Sequence, residues 1–146
     1  MIEVRVQEAP FDAGVELDRL QRLGVGGVAS FIGVVRGDGG LTEMFLEHHP
    51  GMTRKAMQAM ADEAAARWPL AGIILIHRHG RLVPGDPIVL VATASSHRAA
   101  ALESCAALID LLKTEAPFWK RESFADGRHH WVDAKAEDDL AAARWH

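Results

Sequence analysis

A helix that must stop before Pro117 is the strongest constraint in this sequence. Residues 97–115 carry Leu102, Cys105, Ile109 and Leu112 at three- to four-residue spacing, the pattern of a helix with one buried stripe. Pro117 lacks the N–H another turn would need and forces its predecessor out of the helical region, so the chain must leave the helix there. The next residues, Phe118 to Phe124 and His129 to Val132, read as two short strands joined by Ala125-Asp126-Gly127-Arg128. Lys113 and Lys120 therefore fall on different elements, either side of the break, with Phe118 and Trp119 between them.

The rest of the pattern fits one domain, residues 1–146. Ile2, Val4 and Val6 alternate with polar residues in a first strand. Asp12 can cap a short helix carrying Val15, Leu20 and Leu23, ended by Gly24. Residues 26–35 read as a buried strand, Gly37 to Gly40 as a loop, and Leu41 to His48 as a strand expected to form a hairpin with 26–35. A helix from about Met52 to Arg67, with Met57, Met60 and Ala64 on one face, ends at Pro69. Strands Gly72 to Arg78 and Ile88 to Ser95 flank a turn-rich connection at 80–86. A short helix is expected over 136–145. Adjacent strand pairs with helices interspersed define an α+β fold on a mostly antiparallel sheet.

Composition narrows the function classes. A net charge of −4 does not suggest a nucleic-acid groove or an anionic membrane as the main partner. Cys105, the single cysteine, excludes an internal disulfide and any all-cysteine metal site. No apolar run reaches bilayer length, and the first residues form a strand pattern instead of a secretion signal, so a cytoplasmic protein is expected.

Two constellations can carry chemistry. Lys113 lies four residues after Ile109, beside the apolar stripe, where partial desolvation would favour a neutral amine able to act as nucleophile or general base. Lys120, folded back across Pro117, would press in the same direction, while the helix dipole opposes both. The same spacing also suits a lysine snorkelling along its helix and a solvated strand lysine, so spacing alone leaves both open. Ser95-Ser96-His97-Arg98 opens the helix at its other end, where free N–H groups, an imidazole and a guanidinium suit a phosphate or carboxylate, or form a simple cap. The helix would be roughly 24–27 Å long, so one ligand cannot easily reach both ends of one copy. Arg36 stands where a strand meets a glycine-rich loop, a position used by binding arginines and ordinary loop arginines alike.

Other matches carry less. Gly24-Val25-Gly26-Gly27-Val28-Ala29 fits a dinucleotide fingerprint in letters, but a helix precedes it and a strand follows, the reverse of what pyrophosphate binding needs. His48-His49, His77, His79 and His129-His130 supply no three ligands at familiar spacing, so no metal is expected. Cys105 reads as a core thiol. Trp68, Trp119, Trp131 and Trp145 are expected to cover core edges, with Trp119 also placed to wall a planar ligand.

The chain resembles the large, catalytic subunit of molybdopterin synthase. The resemblance rests on Phe31-Ile32-Gly33-Val34-Val35-Arg36, Leu46-Glu47-His48-His49-Pro50-Gly51-Met52, Arg67-Trp68-Pro69-Leu70, His77-Arg78-His79-Gly80, Pro84-Gly85-Asp86, Ser96-His97-Arg98, Trp131-Val132, and above all the run from Leu112 to Glu122. It implies an α/β-hammerhead-like fold and a sulfurtransferase that puts two sulfurs into cyclic pyranopterin monophosphate, forming the molybdopterin dithiolene. The sulfur donor would be a thiocarboxylate on the C-terminal Gly-Gly tail of a small ubiquitin-like carrier subunit, within a heterotetramer built on a homodimer of the large subunit. No cofactor is implied. By the same resemblance Lys113 and Lys120 are the catalytic lysines, and Arg36, His97 and Arg98 bind the pterin and phosphate in sites drawing on both copies. Two departures stand out: only Gly37-Asp38-Gly39-Gly40 follows Arg36, where the family commonly has a longer, asparagine-containing loop, and Lys135 stands where an arginine is expected. The residues themselves would also allow a lysine Schiff-base enzyme acting on a carbonyl, or a non-catalytic scaffold for an anion or a ubiquitin-like tail.

Overall fold

The computed structural model describes residues 1–132 and 136–146, with side chains for all of these except 136–138. In chain order the elements are β1 (Ile2–Gln7), α1 (Ala13–Gln21), β2 (Gly27–Val34), β3 (Leu41–His48), α2 (Pro50–Arg67), β4 (Gly72–Arg78), β5 (Gly80–Leu82), β6 (Pro87–Ser95), α3 (Arg98–Glu115), β7 (Phe118–Phe124), β8 (His129–Val132) and α4 (Ala136–Ala143). They build two four-stranded sheets, ordered β1-β4-β6-β2 and β5-β3-β7-β8. Every pairing is antiparallel except β1 with β4. This is the α+β architecture the sequence pattern implies.

The central strands of the first sheet, β4 and β6, are covered on both faces. One face presents Ile73, Leu75 and Val91 to Met57, Met60 and Ala64 of α2 and to Ala101, Cys105, Leu108 and Leu112 of α3. The other presents Ile74, Ile76, Leu90 and Ala92 to Leu20 of α1. That double burial explains why β4 reads as an unbroken apolar run, Gly-Ile-Ile-Leu-Ile, instead of alternating. Asp12 caps α1 as expected, its carboxylate accepting from the Val15 N–H at 3.1 Å.

Three sequence expectations are corrected. Strands β2 and β3 form no hairpin: β2 pairs with β6, and β3 with β5 and β7. The Val35 N–H donates to the Asp86 carbonyl and the Gly85 N–H to the Val35 carbonyl, both at 2.9 Å, which ties the end of β2 to the 83–86 turn. Gly39 and Gly40, both at positive φ, then send the chain into the second sheet. The buried stripe of α3 runs through 101, 105, 108 and 112, leaving Leu102 58% exposed and Ile109 at the margin. Small residues at 100, 101 and 104 let that neighbouring ridge approach the sheet most closely. Strand β5 lies inside the expected turn, too short at three residues, and opened by a glycine at φ 86°, to show a period.

Candidate active site

Lys113 occupies the last turn of α3, which ends because Ala116 is held extended (φ −79°, ψ 126°) before Pro117. Its side chain is exposed and has neither ion pair nor hydrogen-bond partner among the described residues. The expected desolvation of Lys113 is therefore not supplied by this chain alone, because the buried ridge runs through Leu112 and turns the next residue outward. Lys120, the third residue of β7, is half-buried and lies opposite Leu46 on one side and Val132 on the other, sharing their face of the second sheet. The two lysines thus stand on either side of the Ala116–Pro117 break, one on each layer of the molecule.

The end of the molecule on which Lys113 falls follows from the packing of α3 on β6. The Thr93 hydroxyl donates to the Ala101 carbonyl at 2.7 Å, and the Cys105 thiol lies 3.9 Å from the Val91 carbonyl. Helix and strand run in opposite directions, so the next steps set residue 109 beside Val89 and Lys113 level with Pro87. Pro87 is the partner of Val34, two residues before Arg36. Lys113 and Arg36 are thereby brought to the same end. Arg36 itself is exposed and pairs with Asp38 at 2.5 Å.

His97 and Arg98 lie at the other end of α3, both exposed. His97 is the N-cap and no side chain caps the helix. The Ser95 hydroxyl, fully buried, accepts from the His97 N–H at 3.0 Å and donates to the Pro69 carbonyl at 2.7 Å, which fixes the turn but leaves the first-turn N–H groups free. Gly26 makes room for this turn: a Cβ there would stand 2.6 Å from the Ser96 carbonyl oxygen. The helix α3, Arg98–Glu115, keeps this corner about 24 Å from Lys113 at a rise of about 1.5 Å per residue. One chain does not unite the five residues. Lys135 lies outside the described residues.

A cleft of about 460 Å³ is lined by Glu47, His48, His49, Pro50, Trp119 and Trp131. Trp119 and Trp131 are 48% and 53% exposed there, whereas Trp68 and Trp145 pack against the core. Trp119 points away from Lys120, since neighbouring strand residues face opposite ways. A stack of rings at the junction of the two sheets was not legible in the sequence. Phe118 lies 3.8 Å from His77 and 6.2 Å from His48 by ring centroids, and His48 lies 4.0 Å from His79. Phe118 is two residues before Lys120, so the stack fixes where the lysine-bearing strand begins. Only the β3–β7 register brings His48 opposite Phe118, and nothing local announces it.

Burial pushes the His77 imidazole down to about 4, with His48 and His79 acting in the same direction and its contact with the Arg78 carbonyl opposing them. A histidine depressed in the folded state binds its proton more tightly when unfolded. Its contribution to stability is present above the ordinary value of 6.5 and declines as pH falls from there toward 4. His77→Phe is expected to flatten the acid side of the stability profile, measured as urea midpoints between about pH 4 and 7. A parent and variant with parallel profiles would show that His77 does not titrate this way. Burial also raises the Cys105 thiol to about 11, which makes it inert as a nucleophile. Among the described residues no three His, Cys, Asp or Glu side chains are placed to hold a metal ion, and no helix is long and apolar enough to cross a membrane.

This two-sheet α+β fold, with a lysine on each side of a proline break, places the chain in a known class. A family model described as the MoaE protein matches residues 6–115. The molybdopterin synthase catalytic subunit of Pseudomonas aeruginosa is 51% identical over 147 residues, covering 97% of each chain. That of Ralstonia nicotianae is 53% identical over 150 residues, covering 99% of this chain and 85% of its own. The solved molybdopterin biosynthesis MoaE protein from Burkholderia ambifaria superposes with a TM-score of 0.85 at 48% identity, over 99% of this chain and 98% of that one. The chain belongs to the MoaE family.

Proposed function

We infer that this protein is the catalytic subunit of a molybdopterin synthase, a sulfurtransferase that converts cyclic pyranopterin monophosphate to the molybdopterin dithiolene. The observation that carries the site assignment is the sharing of residues between the two ends of α3. Lys113 and Lys120 flank the Pro117 break and Arg36 lies toward the same end of the first sheet, while His97 and Arg98 form an anion-binding corner about 24 Å from Lys113. A homodimer that sets the corner of one copy against the lysines of the other completes the site. Each small ubiquitin-like carrier presents its Gly-Gly thiocarboxylate to one such site, giving a cytoplasmic heterotetramer of single-domain subunits.

The thiocarboxylate sulfur forms a C–S bond at a side-chain carbon of the pterin as a C–O bond at that carbon breaks, its oxygen leaving as water or staying on the opened phosphate ester. Water then hydrolyses the thioester to the carrier, leaving sulfur on the substrate and a carboxylate on the carrier. Two such transfers make the dithiolene. Lys113 serves as general acid and base or as transient acyl acceptor. Lys120, half-buried beside Leu46, assists proton transfer and stabilises developing negative charge. Arg36, His97 and Arg98 hold the cyclic phosphate and the pterin oxygens. The test is reconstitution from this protein, thiocarboxylated carrier and cyclic pyranopterin, with dithiolene product as readout. Product should form with the parent and fall by about 10²-fold in Lys120→Ala. Failure of the folded parent, with carrier still bound, would overturn the enzyme reading in favour of a scaffold.

A further inference from the structure

The last turn of α3 has no glycine beyond it and no capping partner of its own, because the chain goes straight from Ala116 into Pro117. Such an end frays, and a lysine on it would sample many positions. A different segment holds it. The Trp145 indole N–H donates to Asp110 Oδ2 at 2.7 Å in a partly buried contact, and the His146 ring reaches the Glu115 carboxylate. Trp145 is itself pinned to the end of α2: the Arg67 guanidinium donates to its carbonyl at 2.9 Å, and its ring meets Trp68 edge-on with centroids 5.9 Å apart. Trp68 in turn donates to Glu103, two turns before Asp110, at 3.1 Å. The chain beyond α4 therefore ties the end of α2 to residues 110 and 115 of α3, alongside the direct bond from Trp68 to Glu103.

Asp110 and Glu115 bracket Lys113, Asp110 being three residues before it and one turn away on the same side of the helix. The indole holds the Asp110 carboxylate, and no Asp110–Lys113 ion pair forms. We propose that Trp145 and Asp110 are positioning residues for Lys113, acting as a latch that fixes the last turn of α3 and keeps the Asp110 carboxylate from the amine. The proposal rests on the assignment of Lys113 to catalysis. Neither residue touches substrate in this reading. They act through the helix end that carries the amine.

The test uses the full-length protein in the reconstituted heterotetramer. Trp145→Phe keeps the ring and removes the donor. It is expected to lower kcat about tenfold with KM for the pterin unchanged, since small displacements of a catalytic group cost rate, not binding. Amide exchange at residues 112–115 should speed up while the rest of α3 keeps its protection. Asp110→Asn, which keeps an oxygen acceptor, should stay near the parent on both readouts, and Asp110→Leu should reproduce Trp145→Phe. Asp110→Leu also carries the test if Trp145→Phe does not fold. Unchanged kcat and unchanged exchange in both variants would overturn the latch, as would a raised KM with kcat intact. A parent without turnover, but with exchange at 112–115 responding to Trp145→Phe, would overturn the catalytic reading of Lys113 and leave the mechanical contact standing.

Discussion

Lys113→Ala is expected to lower dithiolene formation by about 10²–10⁴-fold, the range in which a positioned acid–base group contributes. It should do so in a protein that is otherwise unchanged. Lys113 is exposed and unpaired among the described residues, and alanine is the best helix former, so stability should move by no more than about 0.5 kcal/mol. Activity and folding are separable at this position, which makes the result easy to read. Lys113→Arg sharpens it. Arginine keeps the charge and could still hold a phosphate or thiocarboxylate, but it does not lose its proton and cannot serve as base or acyl acceptor. An inactive arginine variant that binds carrier and pterin like the parent assigns Lys113 to proton or acyl chemistry. Recovery of turnover by arginine would reduce it to an electrostatic anchor. An active Lys113→Ala would remove it from the mechanism altogether and transfer the burden to Lys120.

The elements that the sequence made legible are those whose signal is local. Pro117 stops α3 where expected, Asp12 caps α1, and β7 and β8 fall on the residues their turn implies. What stayed hidden depends on pairing between distant segments. The strand 41–48 was expected to fold back on 26–35 because a glycine-rich loop joins them. The partners of β3 are instead β5 and, seventy or more residues on, β7, and the deciding bonds come from the 83–86 turn. The α3 stripe was displaced by one ridge, since Leu102 looks more apolar than Ala101 but alanine fits closer to Thr93. For the site, the two lysines and the Ser95–Arg98 run stand out in the sequence, and the helix length between them leaves either two separate sites or a second subunit supplying one of them. The His48–His77–Phe118 stack and the Trp145 contacts could not be seen, because the first joins strands of the two sheets and the second joins helix ends at least 35 residues apart.

Arg78→Leu should be the most destabilising substitution at the junction of the two sheets, costing about 3 kcal/mol. Arg78 is buried at the end of β4, and its guanidinium spends its donors on backbone: Nε and NH2 on the Glu8 carbonyl at 3.1 and 3.0 Å, NH1 on the Pro87 carbonyl at 3.1 Å. Charged donors make the stronger class of hydrogen bond, and leucine would remove all three of these partly buried bonds at once. Arg78→Lys should recover part of the loss, since an ammonium cannot span both acceptors with the same geometry. Urea unfolding with an unchanged m-value would measure the difference as stability alone. A loss below about 1 kcal/mol would show that water or a local shift replaces the guanidinium. The consequence for activity follows from where Arg78 stands. The next residues, His79 and Gly80, carry the chain from the first sheet into the second. Lys113 belongs to a helix packed on the first sheet, and Lys120 to a strand of the second. A side chain that clamps the loop before α1 and the start of β6 to this crossing therefore holds the two lysines in a fixed relation. Arg78→Leu should lose kcat even at temperatures where it remains folded, although it lies in neither the lysine pair nor the anion corner.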